Sequence, residues 1–171
     1  MTAKIAGLVP HSSVNGPGVR YVVFFQGCPH HCKGCQNPDT WSHEGGKDIE
    51  IGSIIKEILD TKYIDGVTLS GGDPFYQPEA LMEIAKACKE HGINVWCYTG
   101  WTYEEIYKGH VGNKAQEALS FVDVLVDGPF IIDLLSDTCI YRGSSNQRLV
   151  DVRKSSCEGK VMEVEGLDFG L

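Results

Sequence analysis

The feature that most restricts the fold of this chain is an alternation of short apolar runs with segments of helical periodicity. Strands are predicted at Tyr21–Gln26, Gly66–Leu69, Ile93–Tyr98 and Phe121–Val126, with weaker extended stretches at Arg148–Val152 and Lys160–Val164. Alternating strands and helices favour a parallel sheet with crossover connections. A chain of 171 residues has room for about five or six such units, whereas a closed eight-fold barrel takes about 250 residues. We therefore predict an α/β fold: an incomplete, open (β/α) barrel with a mostly parallel sheet, forming one domain over residues 1–171.

Helices are predicted between these strands. Ile54 and Ile58 recur at helical spacing in the first of them. A second helix begins near Pro78, which suits a first helical turn, and ends before Gly92. Thr102 and Glu105 form the pattern of a capping box for a third.

Candidate functional residues follow the predicted strands. Cys28 follows the first, Gly71 and Gly72 the second, Thr99 the third and Asp127 the fourth. Folds of this kind carry their chemistry at the carboxyl ends of the strands. We therefore expect these residues to meet at one edge of the sheet.

Three cysteines fall within eight residues, in the spacing Cys28-x3-Cys32-x2-Cys35. Three thiolates on one loop can reach three corners of a [4Fe–4S] cubane and leave the fourth iron open to a ligand. The chain has seven cysteines, an odd number, and its first residues lack the apolar run of an export signal. Thiols that serve a metal or catalysis are therefore favoured over disulfides. Cys88 and Cys97 are expected to pack as small apolar residues, and Cys139 and Cys157 suggest no role.

A zinc site is the alternative for the same loop, with His30 or His31 as a fourth ligand. Zinc motifs more often use two cysteine pairs, and the remaining cysteines here are isolated. The spacing thus favours a cluster over zinc, but a zinc-stabilised binding module stays open as a non-enzyme function.

The segment Ser70-Gly71-Gly72-Asp73-Pro74 follows a strand. Its glycines permit positive φ and close approach of the backbone to a ligand. Backbone carbonyls and the Asp73 carboxylate could then receive a cationic amino group, although an ordinary turn is the simpler interpretation.

The charge of the chain argues against some partners. The net charge of −8 disfavours nucleic acid, whose binding needs a basic surface. Apolar stretches such as residues 21–25 are far shorter than the roughly 20 residues of a membrane span. We expect a cytoplasmic protein that binds neither nucleic acid nor membrane.

The cysteine spacing after a first strand resembles the signature of radical S-adenosylmethionine enzymes. In that superfamily the amino and carboxylate groups of S-adenosylmethionine bind the open iron, and an electron from the cluster breaks the sulfonium bond. The resemblance implies that Cys28, Cys32 and Cys35 hold the cluster that injects this electron. Many members have an aromatic residue just before the third cysteine, where this chain has Gly34. The residues predicted to contact S-adenosylmethionine are Gly34, Cys35, Gln36, Ser70, Gly71, Gly72, Asp73, Thr99, Asp127 and His30.

Further segments resemble one subfamily, the activating proteins of anaerobic ribonucleotide reductases. They are residues 15–20, 27–37, 40–41, 70–74, 126–130 and 142–148. The resemblance implies that a hydrogen atom is removed from a backbone glycine of the reductase catalytic subunit, which then stores a glycyl radical. It also implies a low-potential electron donor such as flavodoxin. A monovalent cation beside the cofactor and a homodimer are left open.

Two other enzyme functions stay open. One is a small radical enzyme that acts on a free metabolite, such as a deazapurine synthase. The other is activation of a different glycyl radical enzyme. Related activators of pyruvate formate-lyase show Asp-x-Lys at the strand end where this chain has Asp127 and Pro129. Arg20 could contact a partner or cofactor, or begin a solvated strand, and residues 144–148 could form a partner-facing rim or a polar loop.

Overall fold

The computed structural model describes residues 1–165. In that range the strands are β1 (Thr2–Ser12), β2 (Arg20–Phe25), β3 (Lys47–Glu50), β4 (Gly66–Gly71), β5 (Asn94–Tyr98), β6 (Val124–Asp127) and β7 (Arg148–Asp151). The helices are α1 (Ile51–Asp60), α2 (Pro78–Glu90), α3 (Tyr103–Tyr107), α4 (Asn113–Leu119) and α5 (Val152–Glu158). The last six residues of the predicted 1–171 domain lie outside the described residues.

The strands form one open sheet in the order β3-β1-β2-β4-β5-β6-β7. Neighbouring strands in the series β2, β4, β5 and β6 pair in parallel. The remaining strands join antiparallel at the two edges. The predicted open α/β architecture is confirmed. It forms fewer strand–helix units than the five or six expected, because antiparallel neighbours need no helical crossover.

The parallel strands are buried because both faces of the sheet are covered. In β2, Tyr21, Val22, Val23 and Phe25 are inaccessible to solvent. A larger hydrophobic cluster packs the sheet against the helices, and a smaller one forms around Trp96, Val124, Val126 and Leu149. Two-sided burial explains why these strands read as continuous apolar runs. Cys88 and Cys97 are buried in the larger cluster, as expected of small apolar residues.

The sequence did not predict the two strands at one edge. β1 pairs with both β2 and β3 but has only irregular alternation of buried and exposed residues, and β3 is mostly exposed. The predicted strand at Lys160–Val164 is not formed. That stretch makes an isolated bridge between Val150 and Glu163.

Thr102 begins α3 with the predicted capping box. Its hydroxyl accepts a hydrogen bond from the Glu105 amide at 3.2 Å, and Glu105 Oε2 accepts one from the Thr102 amide at 2.8 Å. Within the described residues no helix has the length and apolar character needed to span a membrane.

Arg20 ties together the amino ends of the parallel strands. Its guanidinium is buried and donates to Thr68 Oγ1 at 2.7 Å and to the Val67 carbonyl and Asn94 Oδ1, both at 2.9 Å. Burial lowers the pKa of Arg20 to about 10. Arg20 is therefore neither a solvated strand start nor a residue of the carboxyl-end site.

Replacing Arg20 with Met should destabilise the fold, because the acceptors on two strands, β4 and β5, lose their donor. We expect the free energy of unfolding to fall by about 2 kcal/mol or more, measured by urea denaturation. Arg153→Met, at an exposed position of α5, is the matched control and should change it by less than about 0.5 kcal/mol. Equal effects of the two substitutions would contradict this role for Arg20.

Candidate active site

A cavity of about 370 Å³ lies at the carboxyl ends of the parallel strands. Its walls come from the cysteine loop (residues 28–41), the ends of β4, β5 and β6, and the connection between β6 and β7. Nine of the predicted site residues line it: Cys28, His30, Cys32, Cys35, Gln36, Ser70, Gly71, Gly72 and Thr99. Gly34, Asp73 and Asp127 do not line it. The structure thus brings the cysteine loop and the glycine turn to one site, as the strand-end argument predicts.

The three cysteines of the loop are free thiols. Cys28 is buried, while Cys32 and Cys35 are half-buried. Burial raises the pKa of the Cys28 thiol to about 11, although hydrogen bonds from the His30 and His31 amides act in the opposite direction. The Asn37 amide lies 3.4 Å from Cys35 Sγ and donates to it. The loop is therefore already arranged so that an amide donor meets a sulfur atom.

This donor set suits an iron–sulfur cluster better than a zinc ion. Three thiols line one cavity wall, and cluster irons are normally held by cysteine thiolates. The histidines considered as fourth zinc ligands have other contacts: His30 Nε2 faces Asp73, and the His31 ring stacks on Trp41. The two histidines considered as a fourth zinc ligand thus have other contacts, whereas a cluster held by three cysteines needs no histidine.

Asp73 joins the segments that surround the cavity. Its carboxylate is fully buried and lies 2.6 Å from His30 Nε2 in the cysteine loop. It also accepts hydrogen bonds from Thr99 Oγ1 at 2.9 Å, the Gly100 amide at 3.0 Å and the Phe75 amide at 3.0 Å. The structure thus places Asp73 behind the cavity wall as a positioning residue. Its predicted contact with a cofactor amino group stays a prediction.

Asp127 likewise lies off the cavity wall, in a buried ion pair. Arg148 donates to it through Nε at 3.0 Å and Nη2 at 2.6 Å, and the Tyr103 amide donates at 2.7 Å. Arg148 also reaches the Glu104 carboxylate. These hydrogen bonds raise the pKa of Arg148, first through Asp127, and the bond from Arg148 lowers the pKa of Glu104. Through its hydrogen bonds with Arg148 and Tyr103, Asp127 therefore joins the end of β6 to β7 and to the start of α3.

The glycines at the end of β4 are required by the neighbouring backbone. Gly71 has a φ of +99°, and a Cβ atom there would collide with the backbone of Phe25. A Cβ at Gly72 would collide with the Gly27 carbonyl. Gly34, with a φ of +78°, lies against Ile132 instead of the cavity. Residues 70–72 thus form both the turn after β4 and a part of the cavity wall.

Sequence reasoning missed the wall that faces the cysteine loop. It contains Tyr98, Phe130, Tyr141, Arg142, Gly143 and Gln147. Tyr98 donates its hydroxyl to the Tyr141 carbonyl at 2.7 Å and so ties β5 to the β6–β7 connection. Trp41, at the end of the cysteine loop, was also missed as a lining residue. The available signal was the family resemblance over residues 126–130 and 142–148, which does not say that these residues line a cavity.

The chain is similar to a protein family, to individual proteins and to a solved structure. A family profile described as "4Fe-4S single cluster domain" matches residues 14–150. The chain is 38% identical over 148 residues to the anaerobic ribonucleoside-triphosphate reductase-activating protein of Salmonella typhi, covering 81% of this chain and 92% of that protein. It is 48% identical over 104 residues to the pyruvate formate-lyase-activating enzyme of Clostridium pasteurianum, covering 56% of this chain and 44% of that enzyme. The crystal structure of QueE from Escherichia coli superimposes with a TM-score of 0.48 at 17% identity, covering 60% of this chain and 54% of that one.

In the cluster-free protein the thiols should differ in their reactivity. A thiolate is the reactive form, so the rate for Cys28 should rise only as the pH approaches its raised pKa of about 11. At pH 8 we expect the exposed Cys157 to be alkylated by iodoacetamide at least tenfold faster than Cys28, as followed by peptide mass spectrometry. Cys88, whose pKa burial raises to about 12, is the control for a slow thiol. Fast labelling of Cys28 at pH 8 would contradict the described burial.

Proposed function

The chain belongs to the family of anaerobic ribonucleoside-triphosphate reductase-activating proteins, and from this premise we propose that it installs a glycyl radical on an anaerobic ribonucleotide reductase. In this reaction a backbone glycine of the reductase loses a hydrogen atom, which ends on 5′-deoxyadenosine. S-adenosylmethionine is split into 5′-deoxyadenosine and methionine, and one electron from a low-potential donor is consumed.

One observation carries the proposal. The three free thiols of the cysteine loop and the Gly71–Gly72 turn line the same cavity at the carboxyl edge of the sheet. We propose that Cys28, Cys32 and Cys35 hold a [4Fe–4S] cluster and that the β4 and β5 ends hold S-adenosylmethionine. Together these groups, when bound, supply one-electron cleavage of the sulfonium bond, which hydrogen-atom abstraction from glycine requires.

The residues of the chain position and enclose this chemistry. Asp73 contacts His30, Thr99 and Gly100. These contacts hold the cysteine loop and the end of β5 next to the segment that follows β4. We do not extend the proposal to a monovalent cation, because both oxygens of the Asp127 carboxylate are paired with Arg148.

The surface beside the cavity favours a protein substrate over a free metabolite. Ile131, Ile132, Leu134 and Leu135 have side chains that are 38%, 38%, 41% and 56% exposed, and we call them the apolar patch. They directly follow Phe130, which lines the cavity. Exposed apolar surface of this kind marks contacts with other proteins. The reductase is therefore proposed to dock on the apolar patch while its glycine-bearing loop enters the cavity.

The patch is held in place from behind. The Ile131 amide donates to Ser144 Oγ at 3.2 Å, and the Ser145 amide donates to the Leu134 carbonyl at 2.9 Å. Ser144 is fully buried and supports the patch, whereas Ser145 is exposed, so a partner-facing rim at residues 144–148 stays a prediction. A rigid apolar surface loses little conformational freedom on binding.

Three expectations from the sequence stay predictions: flavodoxin as the low-potential donor, a homodimeric state and a cytoplasmic location. Activation of a different glycyl radical enzyme stays an alternative, because one relative is a pyruvate formate-lyase-activating enzyme. Assays with each of the two partner enzymes distinguish these functions.

The proposed reaction predicts transfer of a labelled hydrogen. Protein reconstituted with iron and sulfide without oxygen, and supplied with S-adenosylmethionine and a low-potential reductant, should yield 5′-deoxyadenosine and a glycyl radical signal in an added anaerobic ribonucleotide reductase. With deuterated glycine in the reductase, deuterium should appear in the 5′-deoxyadenosine, as measured by mass spectrometry.

Cys32→Ala should abolish both products, whereas Cys88→Ala, in the hydrophobic core, should retain both. Activation of pyruvate formate-lyase but not of the reductase would overturn the proposed partner. A normal product yield without deuterium would overturn the proposed hydrogen transfer.

The apolar patch predicts a separation of partner activation from cofactor cleavage. Leu134→Asp should reduce glycyl radical formation at least tenfold at low reductase concentration, because a charge must be buried on docking. Slow cleavage of S-adenosylmethionine without the reductase should be unchanged. Leu59→Asp is the matched control, since Leu59 on α1 is 38% exposed and lies outside the patch. An equal loss in both variants would rule out the patch as a docking surface.

A further inference from the structure

Trp41 carries a buried hydrogen-bond donor that nothing in the described part of the chain satisfies. Its indole Nε1 is inaccessible to solvent and has no partner within residues 1–165. Buried polar groups in native proteins are almost always paired, because an unpaired donor loses its bond to water without replacement. The unpaired N–H therefore indicates an acceptor that belongs to the loaded protein.

The indole is fixed within the cysteine loop. The Trp41 carbonyl accepts a hydrogen bond from the Cys28 amide at 3.2 Å, and the Trp41 amide donates to the Pro38 carbonyl at 3.2 Å. Its ring stacks on the His31 imidazole, with centroids 4.7 Å apart and planes 7° from parallel. Trp41 also lines the cavity beside the three cysteines. The ring cannot turn toward bulk water without losing this stacking.

The cavity lining offers neutral oxygen acceptors, such as the side-chain amides of Gln36 and Asn37, but its anionic acceptors are sulfur atoms. No Asp or Glu side chain is among the described residues that line the cavity. The cysteine thiolates and the sulfides of a bound cluster would be the anionic acceptors beside Trp41. The loop already shows one bond of this type, from the Asn37 amide to Cys35 Sγ.

We infer that the Trp41 indole N–H donates a hydrogen bond to a sulfur atom of the cluster held by Cys28, Cys32 and Cys35, and thereby sets its reduction potential. The inference rests on the proposed function, because it requires the cluster. Hydrogen bonds to cluster sulfurs stabilise the reduced form, which carries more negative charge. Trp41 thus acts on the cluster directly, through contact with one of its sulfur atoms.

Trp41→Phe tests the inference, because phenylalanine keeps an aromatic ring against His31 and lacks the N–H. We expect the equilibrium constant for one-electron reduction of the reconstituted cluster to fall about fivefold, so that the potential becomes more negative; a tenfold fall would be 59 mV. The measurement is a redox titration followed by electron spin resonance. Trp96→Phe, in the smaller hydrophobic cluster, is the matched control and should leave the potential unchanged.

A second measurement uses the unaltered chain in case Trp41→Phe does not assemble the cluster. The chain contains three tryptophans, so labelling their indole nitrogens with ¹⁵N should give one coupled nitrogen in pulsed spin resonance of the reduced cluster. The same spectrum should show a proton that is lost in D₂O. Both signals should persist in Trp96→Phe and in Trp101→Phe.

Absence of the ¹⁵N coupling in the unaltered chain would overturn the inference, as would an unchanged potential in Trp41→Phe. Neither readout depends on the reductase. A clear coupling without any glycyl radical in the partner would therefore contradict the proposed function and leave the Trp41 hydrogen bond standing.

Discussion

A single buried carboxylate, that of Asp73, connects the parts of the active site. It receives hydrogen bonds from the ends of β4 and β5 and meets His30 of the cysteine loop. A carboxylate without water around it is costly unless its oxygens are bonded, so the segments that supply the donors must stay in place. The geometry of the cavity therefore depends on the burial of one charge. The cysteine loop is held in position by its contact with Asp73 and not by its own sequence alone.

The rest of the loop is held by backbone contacts that fold it over the strand ends. The Gly27 amide donates to the Thr40 carbonyl at 2.7 Å, which closes the loop on itself. The Asp73 amide donates to the Gly27 carbonyl at 2.9 Å and joins the loop to the glycine turn. Because a side chain at Gly72 would collide with that same carbonyl, the glycines serve packing between two strand ends as well as the cavity. The loop and the turn thus form one unit, although about 40 residues separate them in the sequence.

The sequence was informative where one residue type has few alternatives. Three closely spaced cysteines, two glycines at a strand end and apolar runs buried on both sides predicted the parallel strands and much of the cavity. The sequence was less informative where a polar side chain has several possible hydrogen-bond or ion-pair partners that are distant in the sequence. Asp73 and Asp127 were expected on the cavity wall, yet one is taken up by Thr99 and His30 and the other by Arg148. Nothing in the local pattern shows that Arg148, about 20 residues away, would neutralise Asp127. β1 and β3 were missed because pairing with a neighbour, and not their own periodicity, keeps them extended.

The connection between β6 and β7 supplies a cavity wall and the apolar patch, yet it lies outside the series of parallel strands and their helices. Its length and surface can change through insertions or substitutions without shifting the register of β2, β4, β5 and β6. The site therefore divides into a half built on the parallel strands and the cysteine loop, which is proposed to hold the reactive groups, and a half built on a surface connection, which is proposed to meet the partner. A lineage with this fold could change the proposed docking surface by remodelling one surface connection, while the parallel strands and the cysteine loop stay as they are.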